Sequence, residues 1–150
     1  MIRVQREDFD VGAELERLAK GDHSVGGVAS FIGVVRDVSG PGGVSALILE
    51  HYPGMTEKKL AEIEAEANRR WPLSASLIIH RYGRLEPGER IVLVATASPH
   101  REAALASCHF LIDWLKTEAP FWKSEETPEG QRWVEARAED DEATRRWRGE

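Results

Sequence analysis

Lys116 and Lys123 flank Pro120, so one falls at the end of an apolar-periodic helix and the other just after the break, beside Phe121 and Trp122. A lysine can move a proton or attack a carbonyl when burial or a second cation makes its neutral amine accessible. Lysine also favours helix C-termini for the dipole alone and is routinely solvated. Spacing alone leaves both readings open. Ser98-Pro99-His100-Arg101 is a second candidate, with Ser98 as predicted cap and Pro99 in the first turn of the helix. It sets an imidazole and a guanidinium where the helix dipole disfavours cations. Free backbone N–H groups converging there with Arg101 would make a phosphate or carboxylate site. The alternative is that both side chains face water or a nearby carboxylate. Arg36 ends an apolar strand and opens a glycine-rich loop, a position that can present an arginine to an anion.

Other candidates read as structural. His80-Arg81 ends a strand and reads as a buried histidine beside a surface arginine. The five histidines lack paired ligand spacing, and Cys108, the single cysteine, sits on the apolar stripe of the Lys116 helix. No metal and no cofactor is expected, and Cys108 reads as core rather than sulfur carrier. Gly40 to Gly43 lacks the spacing and lysine of a phosphate-cradling loop and reads as flexible backbone.

The elements that must hold these residues follow from periodicity. Asp10 caps a first helix carrying Val11, Leu15 and Leu18 and stopped by Gly21. Val28–Val35 and Val44–Leu49 are strand-like around the glycine loop. Thr56 is the predicted cap of a second helix with Leu60, Ile63, Ala67 and Trp71 inward, ended by Pro72. Leu77–Ile79 and Ile91–Ala95 are strand-like across a Pro87-Gly88 turn, and Ala104, Cys108, Leu111, Ile112 and Leu115 form the stripe of the third helix. From about residue 127 the chain is a polar C-terminal arm, part strand and part helix, anchored by Trp133, Val134 and Trp147. One domain over 1–150 is expected, without repeats or linkers.

Composition narrows the classes. With 41% hydrophobic and 31% charged residues the 150-residue chain can bury a core. A formal charge of -6 opposes nucleic-acid binding. No apolar run reaches membrane length, and one cysteine gives no disulfide framework, so a cytoplasmic protein without membrane attachment is expected.

In order along the chain, Phe31-Ile-Gly33-Val-Val35-Arg36, Glu50-His-Tyr52-Pro-Gly-Met55, His80-Arg81-Tyr-Gly83, Ser98-Pro-His100-Arg101 and Leu115-Lys116 through Pro120-Phe-Trp122-Lys123 resemble the molybdopterin synthase catalytic subunit family. Thr127-Pro-Glu-Gly130 and Arg132-Trp-Val-Glu-Ala-Arg137 extend the resemblance to about Trp147. It implies an α+β fold, an α/β hammerhead-like domain with an antiparallel β subdomain. It also implies a sulfurtransferase that takes sulfur from the C-terminal Gly-Gly thiocarboxylate of a small ubiquitin-like subunit. The acceptor is cyclic pyranopterin monophosphate, which becomes the dithiolene of molybdopterin. The assembly implied is a homodimer carrying two small subunits, a heterotetramer. Catalysis falls to Lys116 and Lys123, and substrate binding to Phe31, Arg36, His100, Arg101 and Arg137. A non-catalytic module for a ubiquitin-like partner, or a phosphometabolite-binding regulator, are the rival readings. Phe121, Ser124 and Leu105 depart from the family's usual residues, and Ser124 removes a positive charge next to Lys123.

Overall fold

The computed structural model describes residues 1–37, 46–128, 130–134 and 138–149. In chain order the elements are β1 (Ile2–Gln5), α1 (Val11–Ala19), β2 (Gly27–Val34), β3 (Ala46–His51), α2 (Met55–Arg70), β4 (Ala75–Arg81), β5 (Gly83–Leu85), β6 (Arg90–Ser98), α3 (Arg101–Glu118), β7 (Phe121–Thr127), β8 (Gly130–Val134) and α4 (Ala138–Arg148). The strands form two four-stranded sheets, ordered β1-β4-β6-β2 and β5-β3-β7-β8. Among the described residues only β1 and β4 pair in parallel, and the strands of the second sheet pair antiparallel. The α+β expectation with an antiparallel subdomain holds.

Strand alternation explains the layering of the first sheet. Ile78, Val92 and Val94 point to one face, where they pack with Leu60, Ile63 and Ala67 of α2 and Ala104, Cys108 and Leu111 of α3. Leu77, Ile79, Leu93 and Ala95 point to the other, under Phe9, Val11, Leu15 and Leu18. Strands β4 and β6 are covered on both faces, so they read as apolar runs. A third cluster, Val35, Leu47, Leu49 and Leu85, joins the sheets. The chain crosses from β4 to β5 through Gly83, whose φ of +96° and 3.0 Å approach of a notional Cβ to an Arg6 nitrogen favour glycine.

Several boundaries differ from the sequence reading. Asp10 caps α1 as expected, accepting from the Ala13 N–H at 3.0 Å. Helix α2 instead starts two residues earlier, with Gly54 as N-cap. Thr56 is fully buried and turns its hydroxyl to the Tyr52 carbonyl at 2.8 Å. Ser98 ends β6, and α3 is capped by His100 without a side-chain bond. Ser98 Oγ accepts only a long contact from His100 N–H (3.4 Å) and donates to Pro72 O at 2.9 Å. The segment after Pro120, for which the sequence carries no strand signal, is strand β7, paired with β3 and β8. Gly40 to Gly43 and Val44 lie outside the described residues.

The arm ends on α3. Trp147 Nε1 donates to Asp113 at 2.6 Å, and its ring packs edge-on against Phe110 and Trp71. Thr144 and Thr117 share a 2.6 Å hydroxyl bond below it.

Candidate functional site

Lys116 sits in the last turn of α3 and Lys123 on β7, and both line one cavity of ≈ 50 Å³ with Leu49, His80, Ile91, Leu115, Ala119 and Phe121. Helix α3 brings Lys116 there because it runs back along β6, returning to Ile91 at the start of that strand. Strand β7 brings Lys123 because it pairs with β3 in a register that sets Lys123 opposite Leu49. Alternation then turns Ser124 the other way: it is buried and its hydroxyl accepts from Gln131 Nε2 at 2.5 Å. The charge missing at position 124 is therefore missing from the opposite face, not from the cavity.

His80 is the residue that sequence reasoning set aside. Its ring stacks on Phe121 with centroids 3.8 Å apart and planes 16° apart. Its Nδ1 lies 2.8 Å from the Arg81 carbonyl, which can only accept, so Nδ1 carries the proton. Burial pushes its pKa down to about 3, with the nearby Lys116 and Lys123 acting in the same direction against the carbonyl bond. His80 is thus a neutral imidazole. Arg81, read as a surface residue, is buried and donates to the Arg6 and Arg90 carbonyls at 2.9 and 2.8 Å. What places His80 on the cavity wall is its stack on Phe121, a residue of β7, and strand β7 carries no clear alternating signal in the sequence.

His100 and Arg101 are exposed at the other end of α3. Gly26 holds that end close: its N–H donates to Ser98 O at 2.9 Å, and a Cβ on it would lie 2.0 Å from the Pro99 carbonyl oxygen. Fifteen residues at 1.5 Å each separate Arg101 from Lys116, about 22 Å along the axis. Within one chain the anion pair and the lysine pair are not brought together. Arg36, exposed, leaves β2 where Val35 N–H bonds Glu89 O at 2.9 Å, at the β6 end that also supplies Ile91 to the cavity. Phe31 is 40% exposed on β2, an edge strand. Arg137 lies outside the described residues. Cys108 is buried on the inner face of α3, its thiol pushed up to about 11 by burial, so it holds little thiolate.

Comparison with known proteins follows the same residues. A family model described as MoaE protein matches residues 4–118. A molybdopterin synthase catalytic subunit of Ralstonia nicotianae is 57% identical over 146 residues, covering 97% of this chain and 83% of that protein. The solved structure of a molybdopterin biosynthesis MoaE protein from Burkholderia ambifaria matches with a TM-score of 0.86 and 54% identity, covering 100% of this chain and 99% of that one. A Helicobacter pylori structure, described as a complex of subunits 1 and 2 of molybdopterin-converting factor, shares the fold at a TM-score of 0.76 and 18% identity, with 91% of each chain covered.

Proposed function

Because the chain belongs to the MoaE protein family, we infer that it is the catalytic subunit of a molybdopterin synthase, a sulfurtransferase of molybdenum cofactor biosynthesis. The observation that carries the finer reading is the lysine pair on a narrow cavity. A cavity of ≈ 50 Å³ has room for a few waters, at roughly 10–15 Å³ each. A fused pterin ring system needs far more. A glycine terminus, with no side chains, suits such a space.

The sulfur donor in this reading is the Gly-Gly thiocarboxylate of a small ubiquitin-like subunit, entering as an extended tail. The two-subunit description of the Helicobacter pylori structure supports a small partner. The acceptor is cyclic pyranopterin monophosphate, two transfers making the dithiolene. Lys116 moves protons or attacks the acyl carbon, and Lys123 stabilises negative charge as it develops on the tail. Arg36, His100, Arg101 and Arg137 hold the phosphate and the pterin, with Phe31 beside them.

The separation of about 22 Å along α3 supports a homodimer in which the anion pair of one copy completes the lysine site of the other. Strand β2 is an edge of its sheet and exposes Val28, Ile32 and Val34, with Val28 and Ile32 on the same face as α1, and Phe31 on the α3 side. A two-fold axis across such an edge pairs the strand with itself antiparallel, which sets the His100 end of one copy beside the Lys116 end of its mate. With a small subunit on each copy the assembly is a heterotetramer. Among the described residues no helix is long and apolar enough to cross a membrane, in keeping with work in the cytoplasm.

Mixing the purified chain with thiocarboxylated small subunit and cyclic pyranopterin monophosphate tests the reading. Dithiolene product, detected as molybdopterin or its fluorescent oxidised derivative, is expected. A folded protein that binds the partner and yields no product would sink it.

A further inference from the structure

Among the residues lining the lysine cavity, Lys116 and Lys123 offer ammonium donors, while Leu49, Ile91, Leu115, Ala119 and Phe121 offer only apolar surface from their side chains. His80 differs from all of them. With Nδ1 committed to the Arg81 carbonyl at 2.8 Å, its Nε2 is the ring's remaining polar atom and can only accept. The face-on contact with Phe121 at 3.8 Å fixes the ring plane, so the direction of that lone pair is set by packing. The other titratable groups nearby do not substitute for it. His51 on β3 gives its Nδ1 to Thr56 Oγ1 at 3.0 Å and lines the neighbouring cleft with Tyr82 and Arg84. Arg81 turns its guanidinium to backbone carbonyls.

A peptide ending in a thiocarboxylate brings two kinds of group to such a cavity: an anion, which the ammonium groups can satisfy, and an amide N–H, which they cannot. We infer that His80 Nε2 accepts the amide N–H of the tail's terminal glycine and so sets how far the thiocarboxylate advances towards Lys116 and Lys123. This rests on the proposed entry of a Gly-Gly tail into this cavity and adds to it a recognition residue with a stated atom. Neutrality suits the task. A protonated imidazole would be a donor on both nitrogens, repelling the amide and competing with the lysines for the anion. Burial and the two lysines keep the ring neutral down to a pKa of about 3, so the acceptor is present throughout the working range of pH.

The test couples a change in the tail to a change in the protein. Small subunit is made by semisynthesis with the terminal peptide amide replaced by an ester, which removes the N–H and weakens the adjoining carbonyl as an acceptor, the second effect being common to parent and variants. Single-turnover sulfur transfer and tail affinity are compared for the parent, His80→Phe and His80→Gln, each checked for native circular dichroism. Phenylalanine keeps the stack on Phe121 without an acceptor, and glutamine keeps an acceptor. The ester tail should cost the parent roughly tenfold in affinity, the scale of one lost hydrogen bond that leaves a polar atom unpaired. It should cost His80→Phe less than about twofold, and His80→Gln should recover part of the discrimination. Equal ester penalties in the parent and His80→Phe overturn the inference while leaving tail entry intact. Absence of tail binding by the parent overturns both.

Discussion

At the scale of single residues, the proposed roles of Lys116 and Lys123 rest on what surrounds them. Both line a small cavity whose other lining side chains, His80 apart, are apolar. Lys116→Ala should fold normally, since the side chain is exposed at the helix end, and should slow dithiolene formation about 100-fold or more, the range of general acid–base groups. Lys116→Arg should not restore it, because arginine keeps its charge and cannot become neutral. Near-parental rates for Lys116→Arg would reduce Lys116 to an anion clamp. His80 makes a separate prediction through stability. In the unfolded chain a histidine takes up its proton near pH 6.5, whereas the folded His80 does so only at about 3. Between those values the unfolded state binds more protons, so this contribution is complete above pH 6.5 and is lost as the pH falls towards 3. Urea unfolding at pH 7, 6 and 5 should show stability declining for the parent and declining less for His80→Phe. The interval lies above the carboxylates, and the buried Glu14, held low by its bond to Arg3, adds its own loss only at more acid pH.

At the scale of elements, α3 and the two strands that meet it were only partly legible. The stripe Ala104, Cys108, Leu111 and Leu115 recurs at helical spacing because one face of α3 lies on a sheet. The runs at 77–79 and 91–95 stand out because β4 and β6 are covered on both sides. Strand β1 is four residues long and β7 carries Lys123, Glu125 and Glu126, so neither has the composition of a buried strand; long-range pairing makes them. The start of α3 was misread for a physical reason as well. Ser98 looks like a cap, but its hydroxyl is spent on Pro72 and the chain stays extended through His100. The backing of that turn by Gly26 involves a contact seventy-odd residues away in sequence and leaves no local pattern. Gly26→Ala should lower stability by about 1–3 kcal/mol, as overpacking does, because the added methyl meets the Pro99 carbonyl oxygen. It should also displace the amide resonances of His100 and Arg101 and weaken precursor binding, with tail binding at the far end of α3 little changed. Unaltered precursor affinity in calorimetric titration would separate Gly26 from the anion site.

At the scale of the whole molecule, helix α3 on the first sheet places cationic groups at its opposite ends, and an apolar strand edge runs between those ends. Phe31→Asp should put an uncompensated charge into the proposed self-association surface and shift the protein towards monomer in analytical ultracentrifugation, with product formation falling in step. A monomer with full activity would remove the need for a mate. The length of α3 then has a genetic meaning. If the proposed dimer shares its sites, Lys116→Ala and Arg101→Ala damage different sites of a hybrid, so two inactive alleles should complement when their products mix. In a random equal mixture half the dimers are hybrids, each with one doubly damaged site and one intact site, so about one quarter of parental activity should return. Two variants at the same end, Lys116→Ala with Lys123→Ala, should recover nothing, because each site of the hybrid still lacks one lysine. A cell carrying both separated lesions on different copies would make cofactor where either lesion alone would leave it without.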